Sequence, residues 1–150
     1  MNSQKSMILE DMLRRIDEKT ATIQDAIATA KESRDSDAKS SAGDKYETGR
    51  AMMQIEIQNK EQQLGQNLGL KKVVMTIDPK AKSESVTLGS YIKTNRGDIF
   101  ISVPLGMLKA EKYDCMAISL ASPLGRAFNG HKVGDSITFN GNSYQILELD

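Results

Sequence analysis

The chain has 150 residues, 39% hydrophobic and 27% charged. Its twenty basic and twenty acidic side chains cancel, with twelve of each sign in residues 1–75 and eight of each in 76–150. This balance excludes a global field able to draw the protein onto nucleic acid or a membrane surface, so a partner must be recognised by shape and local charge. The single cysteine, Cys115, excludes an intrachain disulfide, and no apolar run reaches the ~18–20 residues of a membrane span.

The opening MNSQKSMILEDM has no apolar signal core. Together with the lone cysteine it points to a cytoplasmic protein. From Leu9, apolar or small residues fall at Leu13, Ile16, Thr20, Ile23, Ile27 and Ala30, in steps of four and three, the seam of a coiled coil. A weaker seam follows at Tyr46, Arg50, Met53, Ile57, Glu61, Leu64 and Leu68. No proline occurs before Pro79, so nothing forces a break inside either stretch. The spacing predicts two long antiparallel helices over residues 1–75, joined near Ala42–Gly43. Each arm of ~30 residues would make a rod of ~45 Å.

Between the seams lies SSAGDKYETGRAMM, residues 40–53. If the second helix starts at Asp44, Asp44 is its N-cap and Glu47 the partner in a capping box, both at the positive end of the helix dipole. The same spacing puts two carboxylates on one face. Two are too few for a closed metal site but suit Mg2+, which keeps waters and shares ligands with phosphates or another protein. Gly49 costs about 1 kcal/mol against alanine in a helix. Lys45 and Arg50 beside the acids read as a solvated face or as RNA and phosphate contacts.

A polar linker spans residues 76–85. Beyond it the period shortens. Runs at 86–94, 98–105, 115–120, 135–140 and 144–149 are rich in β-branched and aromatic residues and read as five strands. Asn95-Arg96-Gly97-Asp98 and Asn140-Gly141-Asn142 are turns. A short helix is expected from Pro123, closed near Gly130. Residues 86–150 are therefore a small antiparallel β domain with one short helix, and the chain is of the α+β class.

Cys115 with His131 could be read as a thiol nucleophile and its base. However, Cys115 sits in an apolar run and His131 in a polar loop, and one of each makes no zinc site. No phosphate-loop motif occurs.

Three pieces together resemble the bacterial transcript cleavage and elongation factors of the Gre type. The order of parts is similar. Gly43-Asp44-Lys45-Tyr46-Glu47 resembles the Gly-Asp-x-x-Glu at the tip of the Gre coiled coil. SPLGRAFNGHKVGD, residues 122–135, with the later YQILEL, is similar to the Ser-Pro-x-Gly-x-Ala…Gly-x-x-x-Gly-Asp pattern of the Gre C-terminal domain, which is FKBP-like. The resemblance implies a non-enzymatic factor that binds RNA polymerase at its secondary channel. There Asp44 and Glu47 would help hold a Mg2+ shared with the polymerase active site, with no cofactor of the protein's own. The polymerase would then cut backtracked RNA near the nascent 3′ end. Lys45 and Arg50 are candidate RNA or polymerase contacts. Ser122, Pro123, Leu124 and Gly125 are the candidate docking region. A monomer is expected.

Where Gre proteins continue Asn-Ala-Glu-Tyr after the second acid, this chain has Thr48-Gly49-Arg50. A channel-binding regulator or inhibitor that does not stimulate cleavage therefore stays open. So do an FKBP-like isomerase or chaperone with a helical dimerisation arm and a thiol enzyme at Cys115, although the paucity of aromatics argues against a proline pocket.

Overall fold

The computed structural model describes residues 3–37 and 43–150, with the backbone alone at 37 and 43–46. In chain order the elements are α1 (Gln4–Asp37), α2 (Gly43–Thr76), β1 (Tyr91–Thr94), β2 (Gly97–Ser102), β3 (Gly106–Ala110), β4 (Tyr113–Ser119), α3 (Pro123–Phe128), β5 (Ser136–Phe139) and β6 (Asn142–Leu149). They form two compact units. One comprises residues 13–71; the other comprises 1–12 with 72–150.

α1 is capped by Ser3, whose hydroxyl accepts from the Ser6 N–H at 3.2 Å. In the unit of residues 13–71 the two long helices run antiparallel. Asp17 pairs with Lys71 at 2.8 Å and Arg34 donates to Gln54 at 2.7 Å, so the partner on α2 retreats as α1 advances. The expected join near Ala42–Gly43 falls largely on residues 38–42, outside the described residues. Ile23, Ile27, Ala30 and Ile57 form the buried cluster, with Leu64 against it.

On α2 the seam differs from the expected one. Met53, Ile57 and Leu64 turn inward, but Glu61, Leu68 and Arg50 are exposed. Lys60 is half-buried and Asn67 is buried. The phase of the helix decides this: positions 53, 57, 60, 64, 67, 71 and 74 keep the three–four alternation, so polar residues, Lys60, Asn67 and Lys71, occupy three inner sites. Asn67 is accommodated because its amide donates to the Ile16 carbonyl at 2.9 Å and to the Thr20 hydroxyl at 2.8 Å. The side chain of Tyr46 lies outside the described residues.

The other unit is built on a six-stranded sheet of order β3-β4-β2-β1-β6-β5. Four of its pairings are antiparallel, but β4 inserts between β3 and β2 and runs parallel to β2. The sixth strand, β3, lies outside the five expected runs. It is an edge strand with only Leu108 buried, so its residues carry almost no apolar signal. The expected strand over 86–94 shortens to β1. Gly89 has φ +89°, and the Ser90 N–H donates to the Thr87 carbonyl, a turn that no strand can run through.

Val86, Ile92, Ile99, Ile101, Ile137 and Ile146 pack with Phe128 of α3 into one core layer, and Tyr144 meets Phe128 edge-on at 5.5 Å. The alternate residues Tyr91, Phe100, Ser102, Leu108, Cys115 and Ala117 are buried as well. The first turns of α1 lie against them: Met12 reaches Ser102, and the Tyr113 hydroxyl donates to Asp11 at 2.7 Å.

Candidate functional site

At the start of α2, helical backbone begins at Gly43, one residue ahead of the expected start. Asp44 therefore stands on helical backbone in the first turn, where the capping box would have it as the cap. The side chains of Asp44 and Lys45 lie outside the described residues. The backbone alone puts positions 44 and 47 three apart on one helical face. Glu47 is exposed, and Arg50, one further turn along, is exposed too.

Among the described residues no group of three or more His, Cys, Asp or Glu is gathered to hold a metal ion. A carboxylate pair on one helical turn can offer two oxygens to a hard cation. The remaining ligands must come from elsewhere.

In the sheet unit, residues 122–125 open α3. The Ser122 hydroxyl accepts from the Gly125 N–H at 3.0 Å and donates to the Ser119 carbonyl at 2.7 Å. Pro123 takes the first helical position, where its missing N–H costs nothing. At Gly125 an added methyl would meet the Ser119 carbonyl oxygen at 2.1 Å and that of Leu120 at 2.9 Å. Ser122, Pro123 and Gly125 thus have structural reasons of their own. Pro123 is exposed, and Leu124 is half-buried.

Leu124 also lines a surface cavity of about 160 Å³ shared with Arg96, Asp98, Ile99, Met107, Met116 and Tyr144. Met107 and Met116 are cross-strand partners, 48% and 37% exposed, and the Arg96 guanidinium sits 5.8 Å from the Tyr144 ring centre. Sequence reasoning passed over this patch. Its pairing depends on β3, and the available signal was two methionines flanking a turn.

The thiol alternative finds no activated group. Cys115 is 1% exposed, and burial pushes its thiol up to about 12, with Asp98 and Asp114 adding to the shift. His131 faces Asp135 at 3.2 Å instead. Asp135 is held below the usual carboxylate range, first by the Lys132 backbone N–H and then by His131. Among the described residues no helix is long and apolar enough to cross a membrane.

No family model matches the chain, and no curated protein matches it. Among solved structures the chain is similar to the transcription factor Gfh1, with 19% identity over 95% of this chain and 91% of that one and a TM-score of 0.35. It is also similar to Gfh1 of Thermus aquaticus, with 19% identity over 91% of this chain and 92% of that one and a TM-score of 0.33.

Proposed function

We propose that this protein is a transcription factor of the Gre type that acts on RNA polymerase at the secondary channel, without catalytic machinery of its own. The observation that carries the reading is the placement of positions 44 and 47 on one helical face at the start of α2, in an antiparallel helix pair. The Gly-Asp-x-x-Glu and Ser-Pro-x-Gly sequence patterns support it.

Asp44 and Glu47 would supply two carboxylate oxygens toward a Mg2+ shared with the polymerase, in the cytoplasm of a bacterium. When bound there, that ion supplies activation of water for phosphodiester hydrolysis. Two carboxylates on one helical turn hold Mg2+ too weakly to make a resident site, so the ion would be held only in the complex. Lys45 and Arg50 would neutralise phosphates near the nascent RNA 3′ end. The exposed Pro123 and the half-buried Leu124 would belong to the docking surface, with Ser122 and Gly125 shaping it.

The Thr48-Gly49-Arg50 that follows Glu47 favours one second reading, a regulator that occupies the channel without stimulating cleavage. RNA cleavage by stalled, backtracked polymerase separates the two. With Asp44→Asn/Glu47→Gln, the first reading expects wild-type stimulation to disappear while polymerase binding persists. Binding without stimulation by the wild-type protein would establish the second. No binding to polymerase would overturn both.

A further inference from the structure

The core layer beneath α3 runs out at β4. Ile99 of β2, Met116 of β4 and Met107 of β3 are register neighbours in one row across three strands. Ile99 is 5% exposed and belongs to the buried layer, whereas Met116 is 37% and Met107 48% exposed. The cause is the length of α3. Its six residues make ~9 Å of helix, and six strands ~4.8 Å apart make a sheet far wider than that. β4 is paired on both sides, so Met116 is open because nothing covers it, not because it lies on an edge. The two methionines form one apolar wall of the cavity that Leu124 lines from α3.

The sulfur groups of this cavity fall into two kinds. Cys115 also lines it, but the side chain is 1% exposed and burial keeps the thiol protonated, whereas thiol oxidation proceeds through the thiolate. A thioether needs no deprotonation, only access. Met107 and Met116 have that access and stand opposite each other on paired strands.

We propose that Met107 and Met116 are a reversible oxidation site, with hydrogen peroxide as the oxidant, that switches off docking at this cavity. The proposal rests on the reading that Leu124 belongs to the polymerase-docking surface. Each thioether sulfur takes one oxygen from the peroxide. The O–O bond breaks, a sulfur–oxygen bond forms, the sulfur loses two electrons and water leaves. A methionine sulfoxide reductase reverses the step with a dithiol, which becomes a disulfide while the oxygen leaves as water. A sulfoxide is polar where the thioether is apolar. Two of them turn the wall into a pair of hydrogen-bond acceptors, and an apolar partner group seated against Leu124 would have to desolvate both.

The test oxidises the full chain with hydrogen peroxide, removes the peroxide with catalase, and then measures polymerase binding. Peptide mass spectrometry maps the added oxygen. Met107 and Met116 are expected to carry it, and Met12, at 0% exposure, is not. Affinity is expected to fall ~10-fold or more, the effect of losing one buried apolar side chain, and to return after reductase treatment. The readout is the ratio of affinities before and after peroxide. Met107→Leu/Met116→Leu should bring that ratio to about one, because leucine keeps the volume and cannot take the oxygen. Met52→Leu/Met75→Leu removes the two most exposed methionines, 62% and 67%, and should leave the wild-type ratio. Met107→Gln/Met116→Gln, which makes the wall polar without peroxide, should bind weakly from the start with native circular dichroism. Three results would overturn the inference and leave the docking reading standing: Met107 and Met116 unoxidised where Met52 and Met75 are oxidised, full affinity after oxidation, or an equal loss in the leucine variant. No binding by the untreated wild type would overturn both.

Discussion

At Gly125 the neighbouring backbone leaves no space for a side chain. An added methyl would stand 2.1 Å from a carbonyl oxygen that cannot swing away as a side chain could. Gly125→Ala is therefore expected to cost ~2–4 kcal/mol in urea unfolding, while Ser122→Ala, which removes only the cap, should cost ~1 kcal/mol. Cys115 makes a second residue-scale prediction. Its thiol ionises near 9.0 when unfolded but only at about 12 when folded. Between those values the unfolded state binds fewer protons, so the contribution is intact below pH 9 and is lost as pH rises. The folding constant of the wild type relative to Cys115→Ala should fall up to ~10-fold per pH unit across that window. Urea midpoints of both proteins from pH 8 to 11 check this, and parallel curves would refute it. Tyr91, raised by burial and by Asp98, pushes in the same direction above pH 10, and Lys5, lowered by burial, opposes it below 10.5. The paired comparison cancels the Lys5 effect and all of the Tyr91 effect except the part that the Cys115 charge itself causes. The helix start at Pro123 was legible because Ser, Pro and Gly each act through the local backbone. The reason for Gly125 was not, because the opposing carbonyl arrives from the end of β4.

At the scale of elements, the three–four alternation revealed both long helices, although it runs only from Leu9 to Ala30 and from Tyr46 to Leu68, short of the ends at Gln4, Asp37, Gly43 and Thr76. It also specified the seam of α1. On α2 the eye follows apolar residues to Leu68, whereas the helix follows its own period to Asn67. The packing therefore turns on an amide that spans to Ile16 and Thr20. A polar residue at a seam position fixes register at some cost in stability. Asn67→Leu is expected to raise the unfolding free energy measured in urea by on the order of 1 kcal/mol and to broaden amide-exchange protection along the pair as alternative registers become accessible. Unchanged stability with unchanged protection would show that Asn67 sets nothing. β3 stayed hidden for the opposite reason. An edge strand with one buried side chain does not need the alternation that reveals a strand. The tip was legible as a pattern of acids, but whether its backbone was cap or helix depended on a boundary that sequence places only to within a residue or two.

At the scale of the molecule, distant parts of the chain converge in the sheet unit. Lys5 is 3% exposed, donates to the Ala81 carbonyl at 3.0 Å and lies 3.7 Å from Asp150, itself 58% exposed. Much of what Lys5 contributes is then its buried four-carbon stem. Lys5→Ala should cost ~1–2 kcal/mol, whereas Lys5→Met, which keeps the stem, should stay within ~1 kcal/mol of wild type. Equal losses in thermal unfolding would assign the role to the charge instead. Asp150 closes the same region through its backbone, exchanging two hydrogen bonds of 2.9 Å with Tyr91. β6 thereby lies between β1 and β5, although it is the last strand in the chain. During synthesis, residues 13–71 can pair as soon as they emerge, but β1 and β5 must wait with open edges, and Ile8, Leu9 and Met12 must wait for the sheet they lie against. Until β6 has emerged, the helix pair can already be formed while the sheet is still open. That interval is when this protein is most exposed to edge-to-edge aggregation.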